Sequence, residues 1–328
     1  MKPKICVLAT GGTIAGTAPK SEALTGYRAG ALGVEALLAA VPSLADVAAV
    51  EGEEIAACDS KDMTGAIWLR LAARVQAVLD AGAAGVVITH GTDTLEETAY
   101  FLHLTVKSEK PVVLTGAMRP ATALSADGPL NLLDAVHLAA HPAARAQGVL
   151  AVLNGEIHSA RDIQKVHTTA LQAFASPDVG ALGRMEDGAP RFRRRLLTRH
   201  TLQSEFDLAG VTALPYVPIL YGHAGMDDRL AKSAIDAGAA GIVYAGTGNG
   251  SIHEALVPTL AAASRAGIPV VRASRTGAGA VLFAESSYVD AGFIDADTLP
   301  PAKARLLLAL ALLKTKEHAA IRRLFRAY

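Results

Sequence analysis

The length, composition and charge of this chain exclude several classes of protein. Its 328 residues are 51% hydrophobic, which suffices for one large or two ordinary domains with packed cores, so disorder is not expected. The formal net charge is +0, and the basic run at 191–199 is expected to be a solvated linker, so no nucleic-acid partner is expected. No apolar run approaches the ~20 residues of a membrane-spanning helix, so no membrane partner is expected either.

Cysteine and histidine usage gives little support to disulfide or metal chemistry. The chain has two cysteines, Cys6 in a predicted buried strand and Cys58 near a strand end, so a disulfide framework is not expected. Its ten histidines form no H-x-H or H-E-x-x-H pattern, so no metal is expected. The first residues enter a strand directly, without the segments of a cleaved leader, which predicts a cytoplasmic protein, or a periplasmic one if a leader was trimmed.

The first turn of the chain (residues 10–16) follows a strand-like apolar run at 5–9. Ligands bind at such strand ends in open α/β sheets, and glycines let backbone N–H groups approach a small substrate. Thr13 is therefore the first candidate nucleophile. A structural turn or a phosphate-binding loop is the alternative, but the glycine spacing fits neither nucleotide-binding pattern, and the stretch alone slightly favours a structural turn.

A loop is predicted at 17–28, because the segment carries Pro, Ser, Gly and Tyr without apolar periodicity. We expect a mobile loop over the site, with Tyr27 in it. Most loop tyrosines only pack, so a function for Tyr27 needs other support. Helices are predicted at 34–41 and 64–81 from their apolar spacing.

The second turn (residues 89–94) repeats the pattern of the first: the apolar strand at 86–88 is followed by glycine and threonine. Thr92 or Asp93 could simply cap the following helix, and helix caps are commoner than catalytic residues. His90 is expected to be a packed strand-end residue. Two turns of the same kind nevertheless favour a single pocket that both strand ends face.

The remaining segments alternate between strands and helices, which predicts right-handed crossovers in a mostly parallel sheet. The pattern dissolves at about 188–214, where we place a domain boundary. The sequence therefore predicts two α/β domains: a larger N-terminal domain (1–190) with a mostly parallel sheet flanked by helices, a linker (191–213), and a smaller C-terminal domain (214–328). The further segments are strands at 111–114, 148–153, 217–221, 241–244 and 270–272, and helices at 229–238, 254–267, 301–315 and 318–325.

Threonine, tyrosine and lysine in such positions form a coherent set for amide hydrolysis. A threonine hydroxyl is a weak nucleophile unless a neighbour takes its proton, and a tyrosinate or an uncharged lysine could do so. Lys165 is a candidate, although an isolated lysine is more often a solvated surface charge. Asp134 and His137 could join a Ser-His-Asp arrangement, but the chain has no G-x-S-x-G elbow.

At this point the two turns resemble a known family. TGGTIAG at 10–16 and THGTDTLEETAY at 89–100 closely resemble the two signatures of bacterial L-asparaginases, and the similarity runs through the whole chain. It is greatest to the type II, or asparaginase/glutaminase, branch. Further agreement lies in GAMRP at 116–120, SADGP at 125–129, and the stretches at 161–169, 246–251 and 303–307.

The resemblance implies catalytic roles position by position. Thr13 matches the nucleophile that attacks the side-chain amide, and Tyr27 matches the loop tyrosine that covers and assists it. Thr92, Asp93 and Lys165 match a second constellation, in which Thr92 lies near the scissile amide and Lys165 is its basic partner. Asp93 would also bind the α-ammonium group of the substrate.

The resemblance also implies substrate contacts and an assembly. Ser60 matches a contact to the α-carboxylate, and the backbone carbonyl of Ala117 would receive the leaving ammonia. Glu285 matches an acid that comes from a neighbouring subunit in the family, as does the position of Ser251. The implied assembly is a homotetramer in which pairs of subunits complete each site.

Some positions depart from the family pattern. Lys61 stands where type II enzymes usually carry Gln or Glu, Asp59 is more like the cytoplasmic branch, and Ser251 replaces an Asn of several members. These changes leave the preference between asparagine and glutamine open. Asp80 and Ser108 stand where some secreted members have a disulfide.

The resemblance implies hydrolysis of L-asparagine to L-aspartate and ammonia without a cofactor, through an acyl-enzyme whose oxyanion is stabilised by backbone N–H groups. The sequence leaves open which threonine attacks and which group takes its proton. A hydrolase with substantial glutamine turnover is the near alternative. A non-catalytic amino-acid sensor would need the Asp93 and Ser60 contacts but neither threonine, and a nucleotide-binding protein is disfavoured by the glycine spacing.

Overall fold

The computed structural model describes residues 1–22, 26–282 and 285–328. These residues divide into two compact units, Met1–Ala209 and Gly210–Tyr328. The linker predicted at 191–213 contains this boundary. The mobile loop predicted at 17–28 includes residues 23–25, which lie outside the described residues.

The first unit is built from strands alternating with helices. Its strands are β1 (Lys4–Gly11), β2 (Ala49–Cys58), β3 (Gly85–Thr89), β4 (Val112–Thr115), β5 (Val149–Leu153), β6 (Glu156–Ser159), β7 (Gln164–Lys165), β8 (Phe174–Ala175), β9 (Gly183–Glu186) and β10 (Ala189–Phe192). Its α-helices are α1 (Val34–Ala39), α2 (Leu44–Val47), α3 (Gly65–Asp80), α4 (Leu95–Thr105) and α5 (Gly128–Ala140).

Within the described residues, eight of these strands form one sheet in the order β10-β9-β6-β5-β4-β3-β1-β2. The pairs from β2 through β5 are parallel, and β6, β9 and β10 continue the sheet in antiparallel pairs. The prediction of a larger N-terminal α/β domain with a mostly parallel sheet is confirmed. The antiparallel extension was not predicted, because its strands are short and partly polar.

The central strands form because their apolar runs are buried on both faces. Every residue of β3, β4 and β5 is buried, as expected for parallel strands covered by helices on each side. Helix α3 begins where the Thr64 hydroxyl accepts a hydrogen bond from the Ile67 N–H at 3.3 Å, an N-cap. Its buried face includes Trp68 and Leu71, which fixes the helix against the sheet.

The second unit repeats the strand and helix alternation on a smaller scale. Its parallel sheet has the order β11 (Ile219–Tyr221), β12 (Ile242–Gly246), β13 (Val270–Ser274) and β14 (Ile294–Asp295). Its α-helices are α6 (Arg229–Asp236), α7 (Val257–Arg265), α8 (Ser286–Asp290), α9 (Pro301–Leu312) and α10 (His318–Ala327). The smaller C-terminal α/β domain is therefore confirmed. Across the described part of the chain, no helix has the length and apolar character needed to cross a membrane.

Candidate active site

The first and second turns lie side by side because their strands are neighbours. β1 and β3 pair in parallel with Ala9 opposite Thr89, so both chains leave the sheet at the same edge. β1 lies between β2 and β3, which makes this edge the point where the strand order reverses and where ligands bind in such sheets. The site predicted at two strand ends therefore has the required geometry.

Glycines allow the two turns to touch through their backbones. A β-carbon added at Gly12 would lie 2.3 Å from the Cα atom of Gly91, and Gly12 has a φ of +83°, which disfavours any other residue. A β-carbon added at Gly91 would lie 2.6 Å from the hydroxyl oxygen of Ser60. The second turn is therefore packed between the first turn and the segment that carries Ser60.

The first turn places Thr13 against Tyr27. Thr13 begins a short 3₁₀ helix, is 5% exposed, and has its Oγ1 at 2.6 Å from the Tyr27 Oη. Backbone hydrogen bonds of 3.0 Å in both directions between Thr17 and Arg28 close the loop and bring Tyr27 back to the turn. The Tyr27 ring occupies the space beside Gly16, since a β-carbon there would lie 3.0 Å from the ring carbon Cδ2.

The second turn places Thr92 and Asp93 against Lys165. The Lys165 Nζ donates hydrogen bonds to the Thr92 Oγ1 at 2.9 Å and to the Asp93 Oδ1 at 2.5 Å. Lys165 lies on β7, which pairs only with β8 among the described residues, and its N–H donates to the Glu96 carboxylate at 2.5 Å. Its side chain is 17% exposed, so Lys165 is a held cation and not a solvated surface charge.

Ser60 connects a third segment to the second turn. Its side chain is buried, and its hydroxyl oxygen accepts a hydrogen bond from the Asp93 N–H at 3.1 Å. Its carbonyl accepts another from the Thr94 hydroxyl at 2.7 Å. The adjacent Lys61 is exposed and pairs with Asp59 at 2.6 Å, and this hydrogen bond raises the pKa of Lys61.

A third turn (residues 115–120), after β4, abuts the second. A β-carbon added at Gly116 would lie 2.6 Å from the His90 carbonyl oxygen, and Ala117 is fully buried beside it. The turn is fixed from helix α5. The Asn131 side-chain amide donates to the Gly116 carbonyl at 2.9 Å, and the Asp127 carboxylate accepts from the N–H groups of residues 118 and 119 at 2.9 Å each.

The buried His90 lies where the three turns meet. Its Nδ1 is 2.7 Å from the Gly91 carbonyl oxygen, and its Nε2 is 2.8 Å from the Thr98 hydroxyl, which also accepts from the Trp68 indole N–H at 2.8 Å. Burial lowers the pKa of His90 to about 4, so the ring is neutral at pH 7. The backbone N–H of His90 donates to the Thr115 carbonyl at 2.9 Å, which ties the second turn to the third.

A cavity of about 520 Å³ opens beside the second turn, within the range of about 300–1,000 Å³ for small-molecule sites. Opposite charges line it, which suits a zwitterionic ligand such as an amino acid. The lining residues are Asp93, Glu96, Lys165, Val166, His167 and Thr168. For metals, the described ranges contain no group of three or more His, Cys, Asp or Glu side chains placed to hold an ion.

Family models cover both units of the chain. The model described as asparaginase, N-terminal, matches residues 4–198, and the glutaminase/asparaginase C-terminal domain matches residues 216–325. The chain belongs to the asparaginase family. The family resemblance drawn from the two turns is thereby confirmed.

Asparaginases of known sequence and structure match the chain along nearly its whole length. L-asparaginase 2 of Escherichia coli is 46% identical over 99% of this chain and 93% of the relative, and a glutaminase-asparaginase of Pseudomonas fluorescens is 41% identical over 99% and 90%. The crystal structure of a probable cytoplasmic L-asparaginase from Campylobacter jejuni has a TM-score of 0.98, 46% identity and full coverage of both chains.

Two residues that the asparaginase resemblance adds to the site belong to the second unit. Ser251 is exposed and closes a tight turn, in which its N–H donates to the Thr247 carbonyl at 2.9 Å. Glu285 is exposed and precedes helix α8, where its carbonyl accepts from the Tyr288 N–H at 2.9 Å. Their roles toward a neighbouring subunit stay predictions.

Sequence reasoning missed several residues that build this asparaginase site. Asp127 and Asn131 hold the third turn, and only Asp127 was within reach, as the acid of SADGP, one of the stretches that resembles the family. Trp68 and Thr98 were not given a polar role. Only the hydrogen bonds from Trp68 to Thr98 and between Thr98 and His90, which join residues far apart in sequence, identify that role.

Proposed function

We propose that this protein hydrolyses L-asparagine to L-aspartate and ammonia, with Thr13 as the nucleophile. The observation that carries the proposal is the 2.6 Å contact between the Thr13 and Tyr27 hydroxyls at the first turn. At the neighbouring second turn, Thr92 and Asp93 hold the Lys165 ammonium. Family membership supports amide hydrolysis as the reaction class. No cofactor is required by this chemistry.

The reaction would proceed in two steps. The Thr13 Oγ1 attacks the side-chain amide carbon while its proton passes to the Tyr27 oxygen and Tyr27 gives up its own hydroxyl proton to the amide nitrogen, and the C–N bond then breaks as ammonia leaves. Water next attacks the ester carbon, the bond to Thr13 breaks, and Thr13 recovers its proton. Thr92, polarised by Lys165, lies near the scissile group and would stabilise its developing charge.

The ends of the substrate would be bound by groups outside this nucleophilic pair. The Asp93 carboxylate, 57% exposed and lining the cavity, is suited to the α-ammonium group. The Ser60 hydroxyl accepts from the Asp93 N–H and still has its own proton to donate to the α-carboxylate. The Ala117 carbonyl would receive ammonia. These contacts stay predictions.

Substantial glutamine hydrolysis is the second candidate activity. The Pseudomonas fluorescens relative is named a glutaminase-asparaginase. Lys61, beside Ser60, is the departure that bears on this choice. The ratio of the two activities is therefore left to measurement.

A homotetramer in the cytoplasm is the proposed setting. The roles assigned to Ser251 and Glu285 require a neighbouring subunit, and the name of the Campylobacter jejuni neighbour supports a cytoplasmic location. Sedimentation would test the assembly, because a monomer that keeps full activity at assay dilution contradicts it. Fractionation of cells that express the full gene would test the location.

Ammonia release from asparagine and, separately, from glutamine tests the activity, with wild type compared with Thr13→Ala. Release by wild type that the substitution abolishes supports both the reaction and the nucleophile. No release from either amide by well-folded wild type would overturn the enzyme and favour an amino-acid sensor. Calorimetric binding of nucleotide by that inactive protein would favour a nucleotide-binding protein instead.

A further inference from the structure

Both ring nitrogens of His90 are engaged, and the partners fix the direction of every hydrogen bond. The Gly91 carbonyl can only accept, so the His90 Nδ1 carries the proton. In a neutral ring the Nε2 is then an acceptor, so the Thr98 hydroxyl donates to it. The Trp68 indole can only donate, and it donates to the same hydroxyl oxygen. The chain of donors runs from Trp68 through Thr98 and His90 to Gly91.

The acceptor at the end of this chain is the peptide between Gly91 and Thr92. In a trans peptide the C=O and N–H bonds point in opposite directions. The buried ring holds the carbonyl, so the Thr92 N–H is directed away from the ring. His90 therefore sets the orientation of Thr92 through the Gly91 carbonyl that it bonds. The Thr92 side chain in turn bonds Lys165.

The same peptide also positions the first turn and Ser60. Gly91 leaves no space for a β-carbon, because an added one would lie 2.6 Å from the Ser60 hydroxyl oxygen and 3.1 Å from the Gly12 Cα atom. A rotation of the Gly91 peptide would push against both. Since Gly12 directly precedes Thr13, a shift at Gly91 reaches both threonines of the site.

We propose that His90 is a positioning residue, present as the neutral Nδ1–H tautomer, that fixes the Gly91 peptide and through it Thr92 and Thr13. The role rests on the proposed function, since it acts on the residues assigned to hydrolysis. His90 touches no reacting atom in this scheme. Burial of the ring without a counter-charge among its hydrogen-bond partners keeps it uncharged, as its lowered pKa indicates.

Three variants test the role through kcat. His90→Leu removes both ring contacts and should lower kcat by about 10²-fold, the cost of misplacing a reacting group by about 1 Å. His90→Asn offers an amide donor near the position of Nδ1 and should recover most of that loss. Thr98→Val keeps the ring but removes its donor, and should lower kcat by about tenfold. KM should change less than kcat, because Asp93 and Ser60 bond each other directly.

His103→Asn is the matched control. His103 is an equally buried histidine on α4, and its Nδ1 accepts from the Val149 N–H at 3.1 Å, away from the three turns. Its substitution should destabilise the protein without lowering kcat in the folded fraction. If Thr98→Val, which retains the ring, leaves kcat unchanged, or if His103→Asn lowers it as much as His90→Leu, the positioning role is wrong.

The tautomer gives a readout that a packing role would not change. In protein labelled with ¹⁵N-histidine, the His90 resonances should report a proton on Nδ1 and none on Nε2, without substrate and between pH 6 and 8. A proton on Nε2 would overturn the proposal while the hydrolase remained intact. Wild type that releases no ammonia would instead overturn the hydrolysis and this role with it, whatever the tautomer.

Discussion

The site contains two pairs, Thr13 with Tyr27 and Thr92 with Lys165, and the chain holds them in different ways. Thr13 and Tyr27 are 14 residues apart and joined by one loop that closes through backbone bonds. Thr92 and Lys165 are 73 residues apart, and the Lys165 ammonium that bonds Thr92 also forms an ion pair with Asp93. A local pair can open without disturbing the sheet, whereas the long-range pair is held by the fold itself. The difference suits Thr13 to covalent turnover and Thr92 to fixed electrostatic support.

The largest contrast is expected between Thr13→Ala and Thr92→Ala. Thr13→Ala should lose on the order of 10⁴-fold in kcat and form no acyl-enzyme, because the attacking oxygen is gone. Thr92→Ala should lose on the order of 10²-fold and still acylate, since the Thr13–Tyr27 contact remains. Mass spectrometry of enzyme quenched during turnover detects the adduct. An adduct on the Thr13→Ala protein would reverse the roles of the pairs.

Removing the charge from the second pair should have the next largest effect. Lys165→Met should lower kcat by about 10²-fold, because the Thr92 hydroxyl loses its cation and Asp93 loses its partner. Lys232→Met removes a cation from an exposed pair with Asp228, 2.8 Å long, and is the matched control. Equal kcat values for the two variants would mean that the held cation has no part in turnover.

Tyr27→Phe probes the first pair without moving its ring. The phenyl ring can keep its place beside Gly16 while the hydroxyl at 2.6 Å from Thr13 is lost. We expect kcat to fall by about 10²-fold and KM to stay within about twofold, since in the proposed mechanism the hydroxyl assists proton transfer and binds no end of the substrate. A large rise in KM at constant kcat would instead assign Tyr27 to substrate binding.

A change on helix α5, away from the residues assigned to the site, should leave activity unchanged and alter only stability. Asp134 lies on α5, which packs against both β1 and β3, and burial raises its pKa from 3.8 to about 6. Above pH 6 the folded state therefore holds a carboxylate it disfavours, at a cost of at most about 3 kcal/mol relative to the unfolded chain. Asp134→Asn removes that cost.

The size of this effect depends on pH. The free energy of unfolding of Asp134→Asn should exceed that of wild type most at pH 7.5. The difference should shrink as pH falls from about 6 toward 3.8, because the wild-type carboxyl becomes neutral. Denaturant titrations at pH 7.5 and 4.5 measure it. A variant less stable than wild type at pH 7.5 would mean that the carboxylate makes a favourable contact.

The fold was predictable where burial leaves a plain pattern. The continuous apolar runs of β1, β3, β4 and β5, separated by helical spacing, specify a parallel sheet, and the structure confirms it. The hairpin of β9 and β10 was missed because it is short and carries exposed charged residues between its more buried ones. Such a segment at the edge of the sheet resembles linker sequence.

The site was predictable only in part for a similar reason. Parallel neighbours bring Thr13 and Thr92 to one edge, so their proximity follows from the sequence pattern. The Lys165 contact depends on β7, a strand of two residues that no periodicity reveals, and the family resemblance supplied it instead. The chain of hydrogen bonds through Trp68, Thr98 and His90 left no sequence signal.

The backbone contact between Gly12 and Gly91 constrains how this protein can be redesigned. A β-carbon at Gly12 would displace Gly91, and one at Gly91 would displace the Ser60 side chain and crowd Gly12, so a combinatorial library that varies both positions should return glycine at each. Between them, Thr13, Tyr27 and Ser60 belong to the site, but the connections from α1 to α2 and from α3 to β3 carry none of its residues. Insertions in these two connections are thus a safer place to diversify the enzyme than either signature, however conservative the exchange.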